Sequence, residues 1–333
     1  MRASRSIRIV FGCIVFIESV VISYLAVTIV QKNRAALSDQ KAVAALHKDQ
    51  YVLGSNSVFP HFYEPEPDVT LNDSPDWLGY NVSYSINSDT LNERNDYSPE
   101  KPKDVYRMVM LGDSFTYGLL VNTYENYTEL LEDMLSGVEC APYTGFEVIN
   151  LGVPAYDVGF SAERYRLRGQ KYNPDLVVWF INPFTFEINA DRKMELENMF
   201  LQDHGEDNLW GPLANGEVAY YPAQFAWRVS MSETSLADRI ALQAKYFDEF
   251  LRDYHGSLVI IAHQWDTWSP QTQDVLEESV EGRQHTWIYK NLPDLSKTGG
   301  LLKDKHPNVN GHRQIAEGVL SFLNNVNALG CEE

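Results

Sequence analysis

The longest apolar run of the chain lies near its N-terminus. Residues 9–30 are almost entirely apolar, which is long enough for a helix to cross a bilayer. Arginines precede this run within residues 1–8, and the pattern predicts a cytoplasmic basic arm followed by an uncleaved signal-anchor, with the rest of the chain outside the cell membrane. The alternative is a secreted protein whose signal peptide is cleaved, but the run is long for that and the small-residue cut site near Ala26 is poor.

The next two segments differ from each other in composition. Residues 31–50 are polar and rich in alanine, which predicts a helical stalk. Residues 51–104 are rich in Pro, Asn, Asp and Tyr, and they contain short alternating pieces such as Tyr80–Ile86. That pattern indicates extended strands and turns, so we expect a small strand-rich segment before the main domain.

From Val105 onward, apolar strands alternate with helices. We expect strands at Val105–Leu111, Phe146–Leu151, Leu176–Ile181, Ser257–Ala262 and, more weakly, His285–Tyr289, and helices at Tyr124–Leu135, Ser161–Tyr172 and Gly311–Leu329. This alternation predicts an α/β domain over residues 105–330, with a parallel sheet of about five strands covered by helices on both faces. Residues 186–234 interrupt the alternation. They form a predicted insertion that either caps a site or packs on the body as a surface excursion.

Composition excludes some partners. The formal net charge of −19 and the lack of a basic stripe argue against a nucleic-acid ligand. Hydrophobic residues make up 44% of the chain, enough for a sizeable core. The sequence has no Cys-x-x-Cys pair, no His-rich metal spacing and no Gly-rich phosphate loop after a strand, so we expect no metal and no cofactor. Nothing in it identifies a protein partner.

Three cysteines bear on the compartment. Cys13 lies in the apolar run, which leaves Cys140 and Cys331 as the only two beyond it. In an oxidising compartment two such thiols tend to pair, so an outward-facing domain predicts a disulfide between them. The alternative is two free, buried thiols.

A candidate nucleophile follows the first predicted strand of the main domain. The strand ends at Leu111 and runs directly into Gly112-Asp113-Ser114. A serine at the end of a strand and the start of a helix lies where exposed N–H groups favour developing negative charge. The tripeptide alone is also an ordinary turn sequence.

A candidate base lies 192 positions further on. Asp304 and His306 are two residues apart before the last predicted helix, and Pro307 restrains the backbone after them. In an extended loop the two side chains project to the same side, which makes a carboxylate–imidazole contact feasible. A serine nucleophile needs such a base, and the base needs a carboxylate to hold its tautomer.

Taken together, these motifs resemble those of the SGNH (GDSL-type) hydrolase family. The four blocks of that family have counterparts in order in Ser114, Gly152, Asn182 and His306, and the resemblance spans about Val105–Leu329. It implies a three-layer, flavodoxin-like fold with Ser114 as nucleophile, His306 as base and Asp304 as its carboxylate. It also implies an oxyanion hole formed by the N–H groups of Ser114 and Gly152 and the side-chain amide of Asn182.

Two positions depart from the pattern of the family. Pro183 stands where the third block often has an acid, which bears on the orientation of Asn182. The spacing between Asp304 and His306 is one residue shorter than the usual Asp-x-x-His.

The implied function is hydrolysis of acyl esters, acetyl esters among them, of a carbohydrate or lipid through a Ser114 acyl-enzyme. The alternatives are an O-acyltransferase acting on cell-surface glycans and a binding module that keeps the fold without turnover. His263 ends the fourth predicted strand, where it either contacts substrate or is a buried structural histidine.

Overall fold

The computed structural model describes residues 51–75, 77–205, 210–212 and 218–331. The predicted basic arm, signal-anchor and stalk lie outside these residues. Within the described ranges, no helix combines the length and apolar character needed to cross a membrane.

Eleven strands and nine α-helices occur in the described residues. The strands are β1 (Tyr51–Leu53), β2 (Tyr63–Pro65), β3 (Val69–Asp73), β4 (Val82–Ile86), β5 (Val105–Leu111), β6 (Gly145–Asn150), β7 (Leu176–Ile181), β8 (Trp210–Pro212), β9 (Val218–Tyr220), β10 (Ser257–Ala262) and β11 (Thr286–Tyr289). The helices are α1 (Ser114–Tyr117), α2 (Tyr127–Leu135), α3 (Val158–Arg164), α4 (Pro183–Glu187), α5 (Ala190–His204), α6 (Tyr221–Glu233), α7 (Leu236–Asp253), α8 (Pro270–Val280) and α9 (Val309–Asn325).

A five-stranded parallel sheet forms the centre of the fold. Its strand order is β6-β5-β7-β10-β11, and each neighbouring pair is parallel. All six residues of β7 are buried, because helices cover both faces of the sheet. The prediction of an α/β domain with a five-stranded parallel sheet is confirmed, and its order is that of a doubly wound sheet with the first strand between the second and third.

The helices form two layers, each with its own hydrophobic core. On one face α2 and α9 pack on the sheet through residues such as Leu131 and Ile315. On the other face α3, α7 and α8 pack around Trp179, with Phe247 and Leu276 among their buried side chains. Because both faces of the sheet are covered, the carboxyl ends of the parallel strands are left accessible at one edge of the three-layer fold. Folds of this kind place their functional sites at that edge.

The bounds of the strands in the main domain agree closely with those predicted from the sequence, and the bounds of the helices agree less well. The helix expected at Ser161–Tyr172 begins earlier, because Asp157 caps it through the N–H of Phe160. It leaves α geometry at Tyr165, where a π turn over Tyr165–Gly169 follows. The last helix ends at Asn325 and not at Leu329, and the sequence pattern had not indicated α7 or α8.

The strand-rich N-terminal segment is tied to the main domain by buried charges. Its strands form the antiparallel pairs β1–β2 and β3–β4. The Arg164 guanidinium on α3 is fully buried and binds the Glu64 carboxylate. It also donates a hydrogen bond to the Thr90 hydroxyl oxygen, at a distance of 2.6 Å. Truncating Glu64 would leave the Arg164 guanidinium buried without its carboxylate partner, whereas truncating Arg164 would leave Glu64 paired with Arg168. Residues 51–104 therefore contribute to the interior of the fold.

The predicted insertion contains α5, β8, β9 and α6. It contacts the body through the Ala190 N–H, which donates to the buried carboxylate of Asp157 at 2.8 Å. The Gln243 side chain of α7 donates to the same carboxylate and to the Ile188 carbonyl oxygen. Burial raises the pKa of Asp157 to about 6, although the N–H groups of Phe160 and Ala190 and the side chain of Gln243 all donate to its carboxylate.

A disulfide joins Cys140 and Cys331, whose Cα atoms are 4.7 Å apart. Cys140 precedes β6, and Cys331 follows α9, so the bridge lies toward the amino ends of the strands. It closes a loop of 191 positions and ties the described C-terminus to the sheet.

Candidate active site

Ser114 is the first residue of the one-turn helix α1, at the carboxyl end of β5. Gly112 makes the turn into this helix with φ +154°, and a Cβ at this position would lie 2.2 Å from the Thr116 hydroxyl oxygen. Asp113 is the N-cap, and its carboxylate accepts from the Phe115 N–H at 2.9 Å. The Ser114 N–H lies in the first turn, where a helix supplies no acceptor of its own.

His306 contacts both Ser114 and Asp304. Its Nε2 is 2.9 Å from the Ser114 Oγ, and its Nδ1 is 2.8 Å from the Asp304 Oδ2. A carboxylate only accepts hydrogen bonds, so Nδ1 carries the proton and Nε2 is left to accept from the serine hydroxyl. The structure thus brings the predicted nucleophile, base and carboxylate into one hydrogen-bonded series.

The loop that carries the base is a turn and not the extended segment expected from sequence. Lys305 lies in the left-handed region with φ +75°, and the His306 carbonyl accepts from the Leu302 N–H at 2.7 Å. A bridge between Leu301 and Pro307 closes this turn. The turn explains the shorter spacing of the two residues, because Asp304 also caps it by accepting from the His306 N–H at 3.2 Å.

Asn182 lies beside the nucleophile and is fixed at both ends of its side chain. Its Nδ2 donates to the Asp113 Oδ2 at 2.5 Å, and its Oδ1 caps α4 by accepting from the Thr185 N–H at 3.3 Å. Pro183 occupies the first position of α4, where a missing N–H costs nothing. The departure at Pro183 therefore leaves the orientation of Asn182 defined, with the Asp113 carboxylate in the role of anchor.

Asp113 is a buried acid. Desolvation raises its pKa, and the hydrogen bonds from Phe115 and Asn182 oppose that shift by stabilising the carboxylate. The sequence motif alone assigns Asp113 no separate role. An N-cap residue between the glycine turn and the serine was the available signal for its structural role.

The structure does not present Gly152 as expected. Its N–H donates to the Asn150 Oδ1 at 2.9 Å, so this group has an acceptor already and is not a free oxyanion donor. What Gly152 supplies is close approach. A Cβ there would lie 2.3 Å from the Tyr117 nitrogen, which explains why a glycine stands against α1.

His263 is buried, with 2% of its surface exposed, and not a surface contact for substrate. Its ring lies 5.4 Å from that of Phe115, which in turn lies 5.9 Å from the His306 ring. Burial lowers the pKa of His263 to about 4, so the ring is neutral at neutral pH. The structure thus places His263 behind the site, separated from the base by Phe115.

His312 is buried as well. Its Nδ1 accepts from the Tyr127 N–H at 3.2 Å, and burial lowers its pKa to about 3. It supports the start of α2 and does not reach Ser114. Among the described residues, no three His, Cys, Asp or Glu side chains are grouped so as to hold a metal ion.

Comparisons with known proteins give structural likenesses only. No family model matches the chain, and no curated protein matches it. One similar solved structure is a two-domain esterase (CEX) active on acetylated mannans, with 12% identity and a TM-score of 0.39. That match covers 69% of this chain and 51% of the esterase, so this chain spans about half of its length.

Two further solved structures are matched over nearly their whole length. TesA is 16% identical with a TM-score of 0.38, covering 66% of this chain and 98% of TesA. A catalytic mutant of Axe2, an acetylxylan esterase from Geobacillus stearothermophilus, is 15% identical with a TM-score of 0.39, covering 68% of this chain and 95% of Axe2. At these values the likenesses do not bear on the activity of this chain.

Proposed function

We propose that this chain is a serine esterase of the SGNH class, which hydrolyses acyl esters through a Ser114 acyl-enzyme. The observation that carries the proposal is the hydrogen-bonded series from Ser114 through His306 to Asp304, at 2.9 and 2.8 Å. The residues of this series come from two loops 192 positions apart in sequence, both at the carboxyl edge of the sheet.

The chemistry begins with proton transfer. The His306 Nε2 takes the proton from the Ser114 hydroxyl as its oxygen attacks the acyl carbon, and Asp304 stabilises the imidazolium that forms. As the carbon–oxygen bond to the alcohol breaks, the imidazolium returns the proton to the leaving oxygen. Water then attacks the acyl-enzyme with His306 again as base, releasing the acid and restoring the Ser114 hydroxyl.

The oxyanion that forms during attack needs donors already in place. The Ser114 N–H and the second proton of the Asn182 Nδ2 are the donors that we assign, since the first Nδ2 proton goes to Asp113. The Gly152 N–H would join them only by leaving Asn150, so we give it a structural role in the resting site.

Anchorage by residues 9–30 and an outward-facing domain complete the proposal. The disulfide between Cys140 and Cys331 supports an oxidising compartment, because such bonds are rare where thiols are kept reduced. This orientation is tested by adding protease to right-side-out and to inverted membrane vesicles. We expect the catalytic domain to be cleaved in the right-side-out vesicles and protected in the inverted ones. Cleavage of the catalytic domain only in inverted vesicles would contradict it.

Product analysis tests hydrolysis against transfer. Residues 51–333, incubated with a short-chain aryl ester and an excess of candidate glycans, are expected to yield mainly free acid. A dominant acyl-glycan product would make the chain an acyltransferase with the same nucleophile. Folded protein that yields neither product would contradict both activities and support the binding module.

A further inference from the structure

The nucleophile is carried by a helix of a single turn. Helix α1 has four residues, and a turn of this length is not stable by itself because nucleation costs more than one hydrogen bond returns. Its position therefore depends on contacts with the rest of the fold. Asp113 holds its start, and Gly118 ends it in the left-handed conformation with φ +84°. The carbonyl oxygen of its last residue, Tyr117, is bound by a residue outside the helix and its caps.

Asn92 of the N-terminal segment makes that contact. Its Nδ2 donates to the Tyr117 carbonyl oxygen at 2.8 Å, and its Oδ1 accepts from the Thr123 hydroxyl at 2.5 Å. Thr123 is itself fixed, since its hydroxyl oxygen accepts from the Ser85 N–H of β4 at 2.7 Å. Asn92 is 1% exposed, so its amide is held on both sides without competition from water.

The same stretch of chain also reaches the loop after β6. The Glu93 carboxylate accepts from the Asn150 N–H, and the Asn92 carbonyl oxygen lies 3.5 Å from the Asn150 Nδ2. The Asn150 Oδ1 accepts from the Gly152 N–H at 2.9 Å. Gly152 packs directly on the Tyr117 nitrogen. The dipeptide Asn92-Glu93 therefore positions both helix α1 and the loop that follows β6 and contains Gly152, which we call the glycine loop.

We propose that Asn92 is a positioning residue of the Ser114 site, which holds helix α1 in register with the glycine loop through Tyr117 and Asn150. It acts through these residues and does not contact substrate. The inference rests on the proposed esterase activity. It assigns a catalytic contribution to residues 51–104, outside the stretch over which the family motifs occur. A misplacement of about 1 Å in a reacting group is enough to cost about 10²-fold in rate, so loss of this contact should be visible in kcat.

The test replaces Asn92 with Asp. In Asn92→Asp the oxygen that accepts from Thr123 is kept, but a carboxylate oxygen meets the Tyr117 carbonyl where an N–H had been. The matched control is Asn72→Asp, the same chemical change on β3 in the same segment, where the side chain is exposed. Both variants and the wild type are titrated with a fluorophosphonate to count competent Ser114 sites, and kcat and KM for an aryl ester are then expressed per titrated site.

We expect kcat per titrated site to fall by about 10- to 100-fold in Asn92→Asp, with KM changed by no more than about 3-fold, and the control to match the wild type. A kcat per site within about 2-fold of the wild type would overturn the proposal, because the loss would then reflect folding alone. If the buried carboxylate prevents folding, Asn92→Ala buries no charge and is measured in the same way. Loss of the fold in both variants would also overturn it, since Asn92 would then be structural only.

Failure of the esterase assignment has a different signature. It appears in the wild type, as folded protein that neither titrates with the fluorophosphonate nor hydrolyses the ester. Failure of the positioning proposal appears only in the comparison of Asn92→Asp with Asn72→Asp, in an active wild-type background.

Discussion

The side-chain amide of Asn182 donates to the carboxylate of Asp113 at 2.5 Å, which links the ends of β7 and β5 directly beside Ser114. The same carboxylate caps the helix that carries the nucleophile. One buried acid therefore sets both the start of α1 and the direction of the proposed oxyanion donor.

Asp113→Asn should separate these two tasks. Asparagine caps a helix about as well as aspartate, so we expect the variant to fold, with its free energy of unfolding lowered by about 1–3 kcal/mol because a buried hydrogen bond is lost. Its new NH₂ group faces the Asn182 Nδ2, however, and two donors cannot pair. We expect kcat for an aryl ester to fall by about 10- to 100-fold, compared under identical conditions with the wild type. Unchanged kcat in the folded variant would show that Asp113 does not orient Asn182.

Asn182→Ala should remove a donor from the oxyanion hole. The loss of one such donor typically lowers kcat by about 10²–10³-fold. The matched control is Asn189→Ala, because Asn189 caps α5 as Asn182 caps α4, and both variants lose a helix cap worth about 1 kcal/mol. We expect Asn182→Ala to be the less stable variant, because it also removes the donor to the buried Asp113 carboxylate, and a large rate loss only in Asn182→Ala. Equal kcat values for the two variants would exclude Asn182 from the hole.

The central sheet was predictable because its strands carry a strong signal. Fully apolar runs such as Leu176–Ile181 have one favourable place, a parallel strand buried on both faces. The proximity of Ser114, His306 and Asp304 was expected from the resemblance of their motifs to a known family, since each motif alone is also an ordinary turn or loop sequence. Helix ends were less predictable. The π turn at Tyr165 depends on packing around Phe250 and Tyr254, which local sequence does not show.

The contacts that fix the site were not predictable from the sequence. The Lys305 turn places Asp304 against His306, and no pattern around Lys305 indicates a positive φ. The hydrogen bond from Gly152 to Asn150 competes with the role implied by resemblance, and only the folded loop shows it. The reach of Asn92 to Tyr117 joins residues 25 positions apart, across the expected boundary between two segments.

His263 should make the fold sensitive to acid. Its folded pKa of about 4 lies below the ordinary value of 6.5, so the unfolded chain binds the extra proton first as pH falls. The stability from this residue is complete above about pH 6.5 and is lost between about pH 6.5 and 4, at about 1.4 kcal/mol per pH unit. His263→Phe should reduce the difference in unfolding free energy between pH 7 and pH 4.5 by about 2–3 kcal/mol, measured by urea denaturation.

The matched control for this measurement is His255→Phe, at an exposed position after α7. We expect it to keep the wild-type difference between the two pH values. The same difference in all three proteins would mean that His263 is not neutral in the fold at pH 4.5.

The disulfide should stabilise the fold without serving the chemistry. Cys140 and Cys331 lie toward the amino ends of the strands, away from the edge that carries Ser114. Replacing both with serine should lower the free energy of unfolding by about 2–4 kcal/mol. We expect kcat at a temperature where the variant stays folded to be within about 2-fold of the wild type. A large rate loss in the folded variant would mean that the bridge shapes the site.

The most direct test of the assignment is mass spectrometry of the intact protein after treatment with a fluorophosphonate. We expect the wild type to gain one adduct, located at Ser114, and to lose ester hydrolysis in proportion. Ser114→Ala should gain none and should have lost hydrolysis while remaining folded. Ser269→Ala, which removes a serine that caps α8 after another sheet strand, should label and turn over like the wild type. An active wild type without an adduct, or a folded Ser114→Ala protein that still hydrolyses the ester, would contradict the assignment of Ser114 as nucleophile.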